Sequence, residues 1–394
     1  MTMKQTNSNE ESEKAAEMKK NIKSALEQLR DEIDDIDRQM VSLLAKRQKV
    51  VEKVVGLKNA HNIPVYHPAR EENLISKRRN QSREIGLNPD FVEEIFRSVI
   101  RQSRIKQTRD FARKGIRPGA AVLIVGGQGE MGRYFSKYFG DSGYEVRILG
   151  RHDWDRIEQF CDRLDLAILS VPIDKTTELA LKLGSYLPKD CILTDLTSIK
   201  AKPLKAMLEA HTGPVVGLHP LFGPTPSSMD KQIVVVTPGR DEKACQWLVD
   251  QFIAWGTIIV RATAEEHDEI MGIVQTLRHF ATFAFGQFLF RRRIDIRRTL
   301  EFSSPIYRLE LGMVGRLFAQ DESLYSEIIF ASPERLELLK DYLKSLNTNL
   351  EMIENGDKML FKKEFKSIAE WFGPFGEQAM RESSFMIEKL IERF

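Results

Sequence analysis

The first strong pattern in this 394-residue chain is a series of apolar residues that recur in alternating steps of four and three. The series occupies positions 22, 26, 29, 33, 36, 40 and 43, and no glycine or proline interrupts the chain between Ile22 and Gly56. This spacing predicts one long helix with an apolar seam along one side. About forty residues give a rod of roughly 60 Å, which a small domain cannot cover by itself. We therefore expect a second copy of the chain to cover the seam.

Prolines and composition divide the rest of the N-terminal region. Residues 1–17 are polar and charged, which predicts a disordered tail. Prolines end the long helix, a short helix is predicted from about 69 to 80, and a third helix begins after Pro89. The sequence thus predicts an all-helical domain at 18–110 and a basic linker with glycine and proline at 111–118.

After the linker the periodicity changes. The short apolar runs "AAVLIVG", "YEVRIL", "DLAILSV", "CILTDL" and "PVVGL" alternate with helical stretches. This alternation predicts a doubly wound parallel sheet, a Rossmann-type α/β dinucleotide-binding domain at 119–264, to which "QIVVVTP" and "TIIVRA" add later strands. From 265 to 394 the chain returns to long helices with aromatic-rich faces. The prediction is a multi-domain protein with an all-α segment on each side of an α/β domain.

Three glycines follow the first predicted strand in "VLIVGGQGEMGRYF" with the spacing G-x-G-x-x-G. The first glycine allows a tight turn, the second lets backbone amides approach a pyrophosphate, and the third lets the helix pack close to the strand. Between a strand and a helix, this spacing favours a dinucleotide site over a plain glycine-rich turn. The predicted cofactor-binding residues of this loop are Gly127, Gly129, Glu130, Met131 and Gly132.

The end of the second predicted strand departs from the usual dinucleotide pattern. An acid commonly stands there to hold the ribose hydroxyls, but "RILGRHDW" has Gly150 and Arg151 instead. A glycine leaves room for a 2′-phosphate and an arginine can pair with it, so both residues join the predicted cofactor site and NADP use is predicted. The open alternatives are that Asp153 or Asp155 replaces the missing acid, or that Arg151 points to solvent.

Composition excludes several classes of function. The 59 basic and 57 acidic residues give a net charge of +2, so there is no general electrostatic attraction to nucleic acid or to an anionic membrane. The three cysteines lie far apart without ligand spacing, which predicts a reducing compartment, no disulfide and no metal site. The N-terminus lacks a signal-peptide core, and polar residues interrupt the most apolar stretch, 271–290. We expect a cytoplasmic protein.

Candidate chemistry falls where strands of the predicted sheet end. Ser198 and Lys200 lie in "TDLTSIK", and His219 precedes a proline in "GLHPLFGP", which favours an extended loop for this histidine. The helical region downstream adds further candidates: His267, His279, Arg308 and Arg316. A turn-capping histidine and surface arginines are the plain alternatives for these residues.

Several of these stretches carry a family resemblance. "GLHP", "LRHFATFA" and "SSPIYRLELGMVGRLFAQD" resemble prephenate dehydrogenases, and the N-terminal helices resemble chorismate mutases of the all-helical type. In this order they resemble the bifunctional chorismate mutase/prephenate dehydrogenase family, the T-proteins of bacterial tyrosine biosynthesis. The resemblance runs from about Ser24 to the C-terminus.

The resemblance gives the N-terminal helices a chemistry of their own. Arg47 falls on the continued apolar seam, where a guanidinium must meet an acid, bind an anionic ligand or set the helix register. The resemblance implies that cations clamp the two carboxylates of chorismate, with Lys58 and Gln107 donating to the ether oxygen and Arg30 entering the partner's site. The implied mutase residues are Arg30, Arg47, Lys58, Arg70, Glu71, Ser103 and Gln107. His67 stands where some relatives carry an acid, which weakens the expected contact to the substrate hydroxyl.

The same resemblance implies a dehydrogenase mechanism. His219 would accept a hydrogen bond from the ring hydroxyl of prephenate while Ser198 orients that hydroxyl. Arg316 matches the arginine that holds a substrate carboxylate, and secondary positions in or near the pocket fall on Lys200, His279 and Arg308. The expected cofactor is NAD, the expected assembly is a homodimer, and tyrosine is the expected feedback inhibitor. Two rivals stay open: a nucleotide-sensing regulator whose helical segment is only a dimerisation rod, and a dehydrogenase of arogenate or a β-hydroxyacid.

Overall fold

The structure of this chain is a computed structural model, and it describes residues 3–60, 68–112, 115–226, 228–331 and 333–391. Two compact units emerge from the contacts within the chain. The first unit contains residues 1–114 together with 254–256, and the second contains 115–253 and 257–394. The division at residue 114 lies inside the predicted linker.

The first unit is helical, as predicted. Its helices are α1 (Met3–Ala60), α2 (Pro68–Glu84) and α3 (Pro89–Ala112). Both α2 and α3 begin with a proline, whose fixed φ and missing amide hydrogen suit the first helical position. Helix α1 begins at Met3, inside the segment 1–17 that was predicted to be a disordered tail. That segment is polar but contains glutamate, lysine and alanine, which favour helix, so its composition allows α1 to begin as early as Met3.

The apolar seam of α1 is uncovered in a single chain. Leu29, Ile36 and Leu43 are 54%, 56% and 62% exposed, and the other seam residues are exposed to a similar degree. By contrast, Ile75 on α2 and Ile100 on α3 are buried. An exposed stripe of this length indicates a surface that associates with another chain, as the four-three spacing predicted.

The second unit is built on a seven-stranded sheet. Its strands are β1 (Ala121–Val125), β2 (Glu145–Leu149), β3 (Leu166–Leu169), β4 (Ile192–Asp195), β5 (Val215–Pro220), β6 (Ile233–Arg240) and β7 (Ile258–Arg261). They lie in the order β2-β1-β3-β4-β5-β6-β7. Every residue of β1, β3, β4 and β5 is buried, which is why these strands read as continuous apolar runs.

The five strands predicted to be parallel are parallel, and the structure supplies the direction of the two later strands, which the sequence left open. Strands β1 to β5 are parallel, whereas β6 runs antiparallel to β5, and β7 is parallel to β6. A parallel connection usually needs a crossover helix. Between β5 and β6 no helix is present among the described residues of 221–232, so the chain turns back beside β5 in the opposite direction.

Helices surround this sheet and continue beyond it. Those between the strands are α4 (Glu130–Asp141), α5 (Ile157–Cys161), α6 (Ile173–Gly184), α7 (Ala201–Ala210) and α8 (Glu242–Ala254), with a 3₁₀ turn at Trp154–Arg156. After β7 come α9 (Ala264–Met271), a π-helical turn (Gly272–Leu277), α10 (Arg278–Arg291), α11 (Ile296–Glu301), α12 (Pro305–Phe318), α13 (Glu322–Ile329), α14 (Pro333–Glu354), α15 (Lys358–Phe372) and α16 (Pro374–Ile391).

The C-terminal helices carry large aromatic groups on their outer surface. Phe290, Phe302, Phe330 and Trp371 are between 77% and 84% exposed. Exposed aromatic surface of this extent again indicates association with another molecule. Within the described part of the chain, no helix has both the length and the apolar character needed to cross a membrane.

Close packing of α4 against β1 depends on Gly132. A Cβ atom at this position would lie 2.5 Å from the carbonyl oxygen of Gly126 and 2.6 Å from the Cα of Gly127. Both are backbone atoms that cannot move aside without deforming the turn. Gly140, further along α4, has nothing within 4 Å of an added Cβ.

We therefore expect Gly132→Ala to lower the free energy of unfolding by about 1–3 kcal/mol, the range for overpacked sites. The matched control Gly140→Ala should leave stability unchanged or raise it by up to about 1 kcal/mol, because alanine favours helix. Urea unfolding of the two variants and the parent measures this difference. Equal midpoints would show that the turn tolerates the added methyl group.

Candidate active site

The predicted catalytic histidine lies at the carboxyl edge of the parallel strands. His219 is the penultimate residue of β5, and Asp195 ends the neighbouring strand β4. The loop after β4 carries Ser198, which is half-buried, and leads directly into α7. Ligands of doubly wound sheets bind outside this edge, so the strand ends place Ser198 and His219 at a suitable position for a site.

A buried ion pair underlies this edge. The ammonium of Lys200 and the carboxylate of Asp195 are both wholly buried and in direct contact. Lys200 Nζ also donates to the carbonyl oxygen of Leu218 over 2.8 Å, and the backbone amide of Thr197 donates to Asp195 over 3.1 Å. The ion pair thereby ties the loop after β4 to the residue that precedes His219.

Lys200 was expected at a secondary position in or near the pocket, and the structure buries its side chain beneath the sheet edge. Its side chain is 0% exposed, and its charge is already matched by Asp195. Burial lowers the pKa of Lys200, and the neighbouring carboxylate opposes that change. A cation enclosed in this way supports the shape of the edge from below, because no substrate group can reach it without opening the core.

His219 is itself buried and belongs to a hydrogen-bonded chain. Its Nδ1 lies 2.8 Å from Nε2 of His267, and Nδ1 of His267 lies 2.8 Å from Oδ1 of Asp268. On the other side of the ring, Nε2 of His219 lies 3.4 Å from the amide nitrogen of Gln275. The prediction named His267 only as a candidate. It missed Asp268 and Gln275, although the adjacent "HD" in "EEHDEIM" was the available signal.

The surroundings keep His219 uncharged. Burial, followed by the charges of Lys200, His267 and Arg335, holds the pKa of His219 well below 6.5. Burial by itself would raise the pKa of Asp268, but hydrogen bonds from His267 and from two backbone amides lower it. The site thus pairs a neutral imidazole with a nearby carboxylate in its ionised form.

Arg335 was not among the predicted residues. It lies on α14, is 4% exposed, and donates from Nη1 to the carbonyl oxygen of Ile328 over 2.6 Å. The hydroxyl of Thr276, beside Gln275, donates to the same oxygen over 3.2 Å. Helix α14 thus meets the π-helical turn that also contacts His219. A single arginine in "SPERLELL" gives no periodic signal of this burial.

The remaining predicted residues of the dehydrogenase contact other groups in the single chain. His279 packs edge-on against Tyr325, with ring centroids 4.8 Å apart, and burial lowers its pKa to about 4. Arg308 donates to the carbonyl oxygen of Leu300 over 2.6 Å. Arg316 lies two turns further along α12 and is exposed. His279 and Arg308 therefore have partners other than His219, and Arg316 is open to solvent.

The glycine loop has the shape expected of a pyrophosphate cradle. Gly126 has φ +80° and makes the turn, and a Cβ on Gly127 would lie 2.8 Å from the side chain of Ile148. Gly129 forms the N-cap of α4, is exposed, and has only the Gly126 oxygen, at 3.4 Å, near an added Cβ. The free amides of the first turn thus open outward where a phosphate group fits. Glu130 is exposed and Met131 half-buried in this same turn.

At the end of β2, Gly150 contacts the carboxylate of Asp153. The backbone amide of Gly150 donates to Oδ2 of Asp153 over 2.9 Å, and Arg156 donates to the other carboxylate oxygen over 2.7 Å. A Cβ on Gly150 would lie 3.0 Å from that Oδ2. Asp153 therefore folds back to the place from which an acid at position 150 would extend. The Arg151 side chain is exposed.

In the first unit, two predicted residues meet. Arg47 on α1 donates from Nη1 to the hydroxyl of Ser103 on α3 over 2.6 Å, and burial lowers the pKa of this guanidinium. Glu71 pairs with Arg104, a residue that the prediction missed, over 2.6 Å in a mostly buried position. Arg30 and Arg70 are exposed, so Arg30 stays apart from Arg47 in the single chain.

Three parts of the mutase prediction lie outside the described residues. These are the side chains of Lys58 and Gln107, and His67 as a whole. Among the residues that the structure describes, no group of histidine, cysteine, aspartate or glutamate side chains could hold a metal ion.

Comparison with known protein families divides the chain in the same order as its fold. Residues 29–108 match the family model of chorismate mutase type II. Residues 147–257 match the nucleotide-binding domain of prephenate dehydrogenase, and residues 263–367 match its dimerization domain.

Relatives are similar over almost their whole length. The T-protein of Enterobacter agglomerans is 44% identical over 356 residues, which cover 90% of this chain and 95% of that protein. The T-protein of Haemophilus influenzae is 41% identical over 366 residues, covering 93% and 97%. The crystal structure of Aquifex aeolicus prephenate dehydrogenase in complex with hydroxyphenyl propionate and NAD⁺ covers 64% of this chain and 96% of its own, with a TM-score of 0.54 at 22% identity. This last likeness shows a shared fold.

The order of the three matched regions and the extent of the T-protein similarity agree with the helical unit, the nucleotide-binding sheet and the helices that follow it. The chain belongs to the T-protein family, the bifunctional chorismate mutase/prephenate dehydrogenases of tyrosine biosynthesis.

Proposed function

We propose that the first unit rearranges chorismate to prephenate, and that the second unit uses a nicotinamide dinucleotide to convert prephenate to 4-hydroxyphenylpyruvate and carbon dioxide. The observation that carries the second assignment is the neutral, buried His219 at the sheet edge that also presents the glycine loop. The contact of Arg47 with Ser103 supports the first, because it places a guanidinium of α1 against the side chain of α3 that the family pattern names.

Direct assay distinguishes this function from its rivals. Chorismate, prephenate and arogenate would each be supplied with NAD or NADP, and substrate loss and reduced nucleotide followed by absorbance. We expect chorismate to be consumed without nucleotide and prephenate to be oxidised with it. No activity with any of the three substrates would favour the nucleotide-sensing regulator. Oxidation of arogenate alone would favour an arogenate dehydrogenase.

The mutase step is unimolecular, so the residues act on conformation and charge. Chorismate carries two carboxylates, and cations that hold both in the compact conformer lower the barrier without a nucleophile or a metal. In the proposed site Arg47 and Arg70 bind substrate carboxylates, and Ser103 holds the guanidinium of Arg47 in place. Arg30 comes from the partner copy along the exposed seam of α1.

The other mutase residues complete this charge pattern. Lys58 and Gln107 are proposed to donate to the ether oxygen as negative charge develops there. Glu71 faces the substrate from the start of α2 while its pairing with Arg104 holds it in place. His67 stands in place of an acid, so the substrate hydroxyl is held less firmly.

In the dehydrogenase step, His219 is the proposed hydrogen-bond acceptor of the ring hydroxyl. A neutral imidazole can accept this bond through Nε2 and draw the proton as electron density moves toward the departing hydride. Ser198 orients the same hydroxyl, and Arg316 holds a substrate carboxylate. His279 and Arg308 are proposed to line the outer part of the pocket, where tyrosine, as a feedback inhibitor, would also bind.

The dinucleotide supplies the hydride acceptor. The pyrophosphate fits the open turn at Gly127, Gly129 and Gly132, where an added Cβ on Gly129 would extend into nearly free space. Glu130 and Met131 follow in the same turn. We propose that NAD binds here with Asp153 facing its ribose hydroxyls, and that NADP is also used appreciably because Gly150 adds no carboxylate and Arg151 is exposed.

The exposed surfaces support a homodimer. The seam of α1 and the aromatic groups of the C-terminal helices are both uncovered in a single chain. The match of residues 263–367 to a dimerization domain assigns association to the second unit. We propose a cytoplasmic dimer that is joined through both units.

We expect Arg47→Ala to lower kcat/KM for chorismate by about 10²-fold or more, as for loss of a charged donor in a preorganised site. Dehydrogenase activity with supplied prephenate should stay within about twofold of the parent value, because Arg47 lies in the other unit. The neighbouring exposed cation in Lys46→Ala is the control and should leave both activities intact. Parallel loss of both activities in Arg47→Ala would contradict separate sites.

His219→Asn should lower the dehydrogenase kcat by about 10²-fold or more, with little change in KM for prephenate. Because the pKa of His219 lies well below 6.5, the imidazole stays neutral as pH falls through 6.5, and activity should decline only at more acidic pH. Mutase activity of the same preparation reports the amount of folded chain. A near-normal kcat would remove His219 from the mechanism.

Cofactor choice can be tested at the end of β2. We expect Gly150→Asp to shift kcat/KM toward NAD, because an added carboxylate repels a 2′-phosphate. Asp153→Asn should shift it toward NADP, since it removes the carboxylate that now lies beside Gly150. If the unaltered enzyme already prefers NAD by more than about 100-fold, some 2.7 kcal/mol, the proposed use of NADP is wrong.

A further inference from the structure

The proposed mechanism uses only Nε2 of His219, yet Nδ1 of the same ring begins a continuous polar chain through His267 to Asp268. His219, His267 and Asp268 are joined by two contacts of 2.8 Å, and both histidines are 2% exposed. Burying two imidazoles costs free energy unless each ring nitrogen has a hydrogen-bond partner. We therefore asked what function the pair could have.

The partners at the two ends of the chain define the tautomer of both rings. Asp268 carries a carboxylate that can only accept, so Nδ1 of His267 must donate and its Nε2 must accept. His219 therefore donates from Nδ1 to His267 and leaves Nε2 without a proton. The amide nitrogen of Gln275, 3.4 Å from that Nε2, is a donor and fits the same assignment. Every nitrogen thus has one consistent role, and the bare Nε2 is the atom that would meet the substrate hydroxyl.

Local backbone geometry holds this chain in place. Helix α9 starts at the N-cap Thr263, whose side chain accepts from the amide of Glu266. Asp268 accepts from the amides of Lys200 and Ala201 over 2.8 and 3.0 Å, and so caps α7 while it binds His267. The π-helical turn that follows α9 carries Gln275, and π turns of this kind are frequent at functional sites.

The surrounding charges lower the affinity of His219 for a proton. The charged and titratable groups that act on it are His267 and Asp268 from α9, Lys200 from the turn before α7, and Arg335 from α14. Lys200, His267 and Arg335 all lower the pKa of His219. The neighbouring ring, that of His267, is in contact with the carboxylate of Asp268.

We propose that His219, His267 and Asp268 form a proton relay, in which His267 is the temporary proton store of the dehydrogenase. The proposal rests on the assigned role of His219 as acceptor of the substrate hydroxyl. As hydride leaves the ring carbon, the hydroxyl proton moves to Nε2 of His219, and the Nδ1 proton of His219 moves to Nε2 of His267. His219 stays neutral, and the His267 imidazolium pairs with Asp268.

The relay resets without another reactant. Loss of the ring carboxylate as carbon dioxide leaves its electron pair in the ring, which aromatises and places negative charge on the former hydroxyl oxygen. That oxygen takes back a proton from Nε2 of His219, and Nδ1 of His219 regains its proton from His267. Hydride, carbon dioxide and the phenol account for every atom, and the relay ends in its starting tautomer.

Substitution of His267 separates proton transfer from simple orientation of His219. In His267→Gln the side-chain oxygen can still accept the bond from Nδ1 of His219, but it cannot take up a proton. In His267→Leu both abilities are lost. We expect both variants to lose about 10-fold or more in kcat for prephenate, with KM changed by less than about threefold.

The pH profile of kcat/KM gives a readout that orientation alone would not move. His267 lowers the pKa of His219, so in His267→Gln the acidic decline of activity should move to higher pH. Asp268→Asn should move it to lower pH, because this change removes the carboxylate that stabilises a proton on the relay. This variant keeps a side-chain oxygen for capping α7, and urea unfolding shows whether the helix cap survives.

Two controls make the outcomes distinct. Mutase activity and the unfolding midpoint establish that each variant chain is folded, and His219→Asn establishes that the dehydrogenase depends on His219. If His219→Asn is inactive while His267→Gln has the kcat and pH profile of the parent, the relay is wrong and His267 only orients its neighbour. If His219→Asn retains dehydrogenase activity, the assigned role of His219 is wrong. The relay, which depends on that role, is then wrong as well.

Discussion

The ion pair between Asp195 and Lys200 is the constraint on which the dehydrogenase edge depends. The carboxylate at the end of β4 and the ammonium of Lys200, which precedes α7, are held without solvent, and Lys200 also binds the carbonyl oxygen of Leu218 in β5. Removing one partner of such a pair generally costs about 3–5 kcal/mol, because the remaining charge is left buried. The interaction therefore fixes the loop after β4 against the residue that precedes His219. It also explains why residue 217 is a glycine, because a Cβ atom at this position would lie 3.0 Å from the Lys200 side chain.

The same buried charge also acts on the chemistry above it. Lys200 lies close enough to His219 to oppose protonation, and Arg335 acts in the same sense. An imidazole nitrogen accepts a hydrogen bond only when it is unprotonated, so the buried cation helps to keep His219 an acceptor. Asp268 serves two purposes in one place: it caps α7, which begins beside Lys200, and it binds His267. Structural support and electrostatic tuning thus come from a few shared groups.

The two units differ in how far a single chain buries their apolar residues. The sheet of the second unit encloses its apolar strands within one chain, and all residues of β1 and β3 to β5 are buried. The first unit leaves the seam of α1 exposed over almost its whole length. Three helices have too little shared surface to cover a rod of this length, so the seam stays open in a single chain. Arg47 sits on this seam, so its contact with Ser103 lies beside the uncovered surface.

The sequence by itself determined those features that depend on local periodicity. The four-three spacing predicted α1 and its uncovered seam, prolines marked the starts of α2 and α3, and the glycine spacing predicted the turn between β1 and α4. Family resemblance named Arg47, Ser103 and His219 as site residues, without the contact between the first two. Each of these signals lies within a few neighbouring residues, where backbone sterics and helix or strand repeats decide the outcome.

Only the tertiary structure decided the features that join distant segments. The reversed direction of β6 and β7 depended on how the chain packs after β5, and local apolar runs carry no strand direction. Lys200 was expected in or near the pocket, and the structure shows that its partners are Asp195 and the carbonyl oxygen of Leu218. His267 meets His219 across 48 residues of sequence, and Asp153 occupies the place that Gly150 leaves empty. Contacts of this kind arise from packing and from the need to pair buried charges, and neither leaves a regular mark on the sequence.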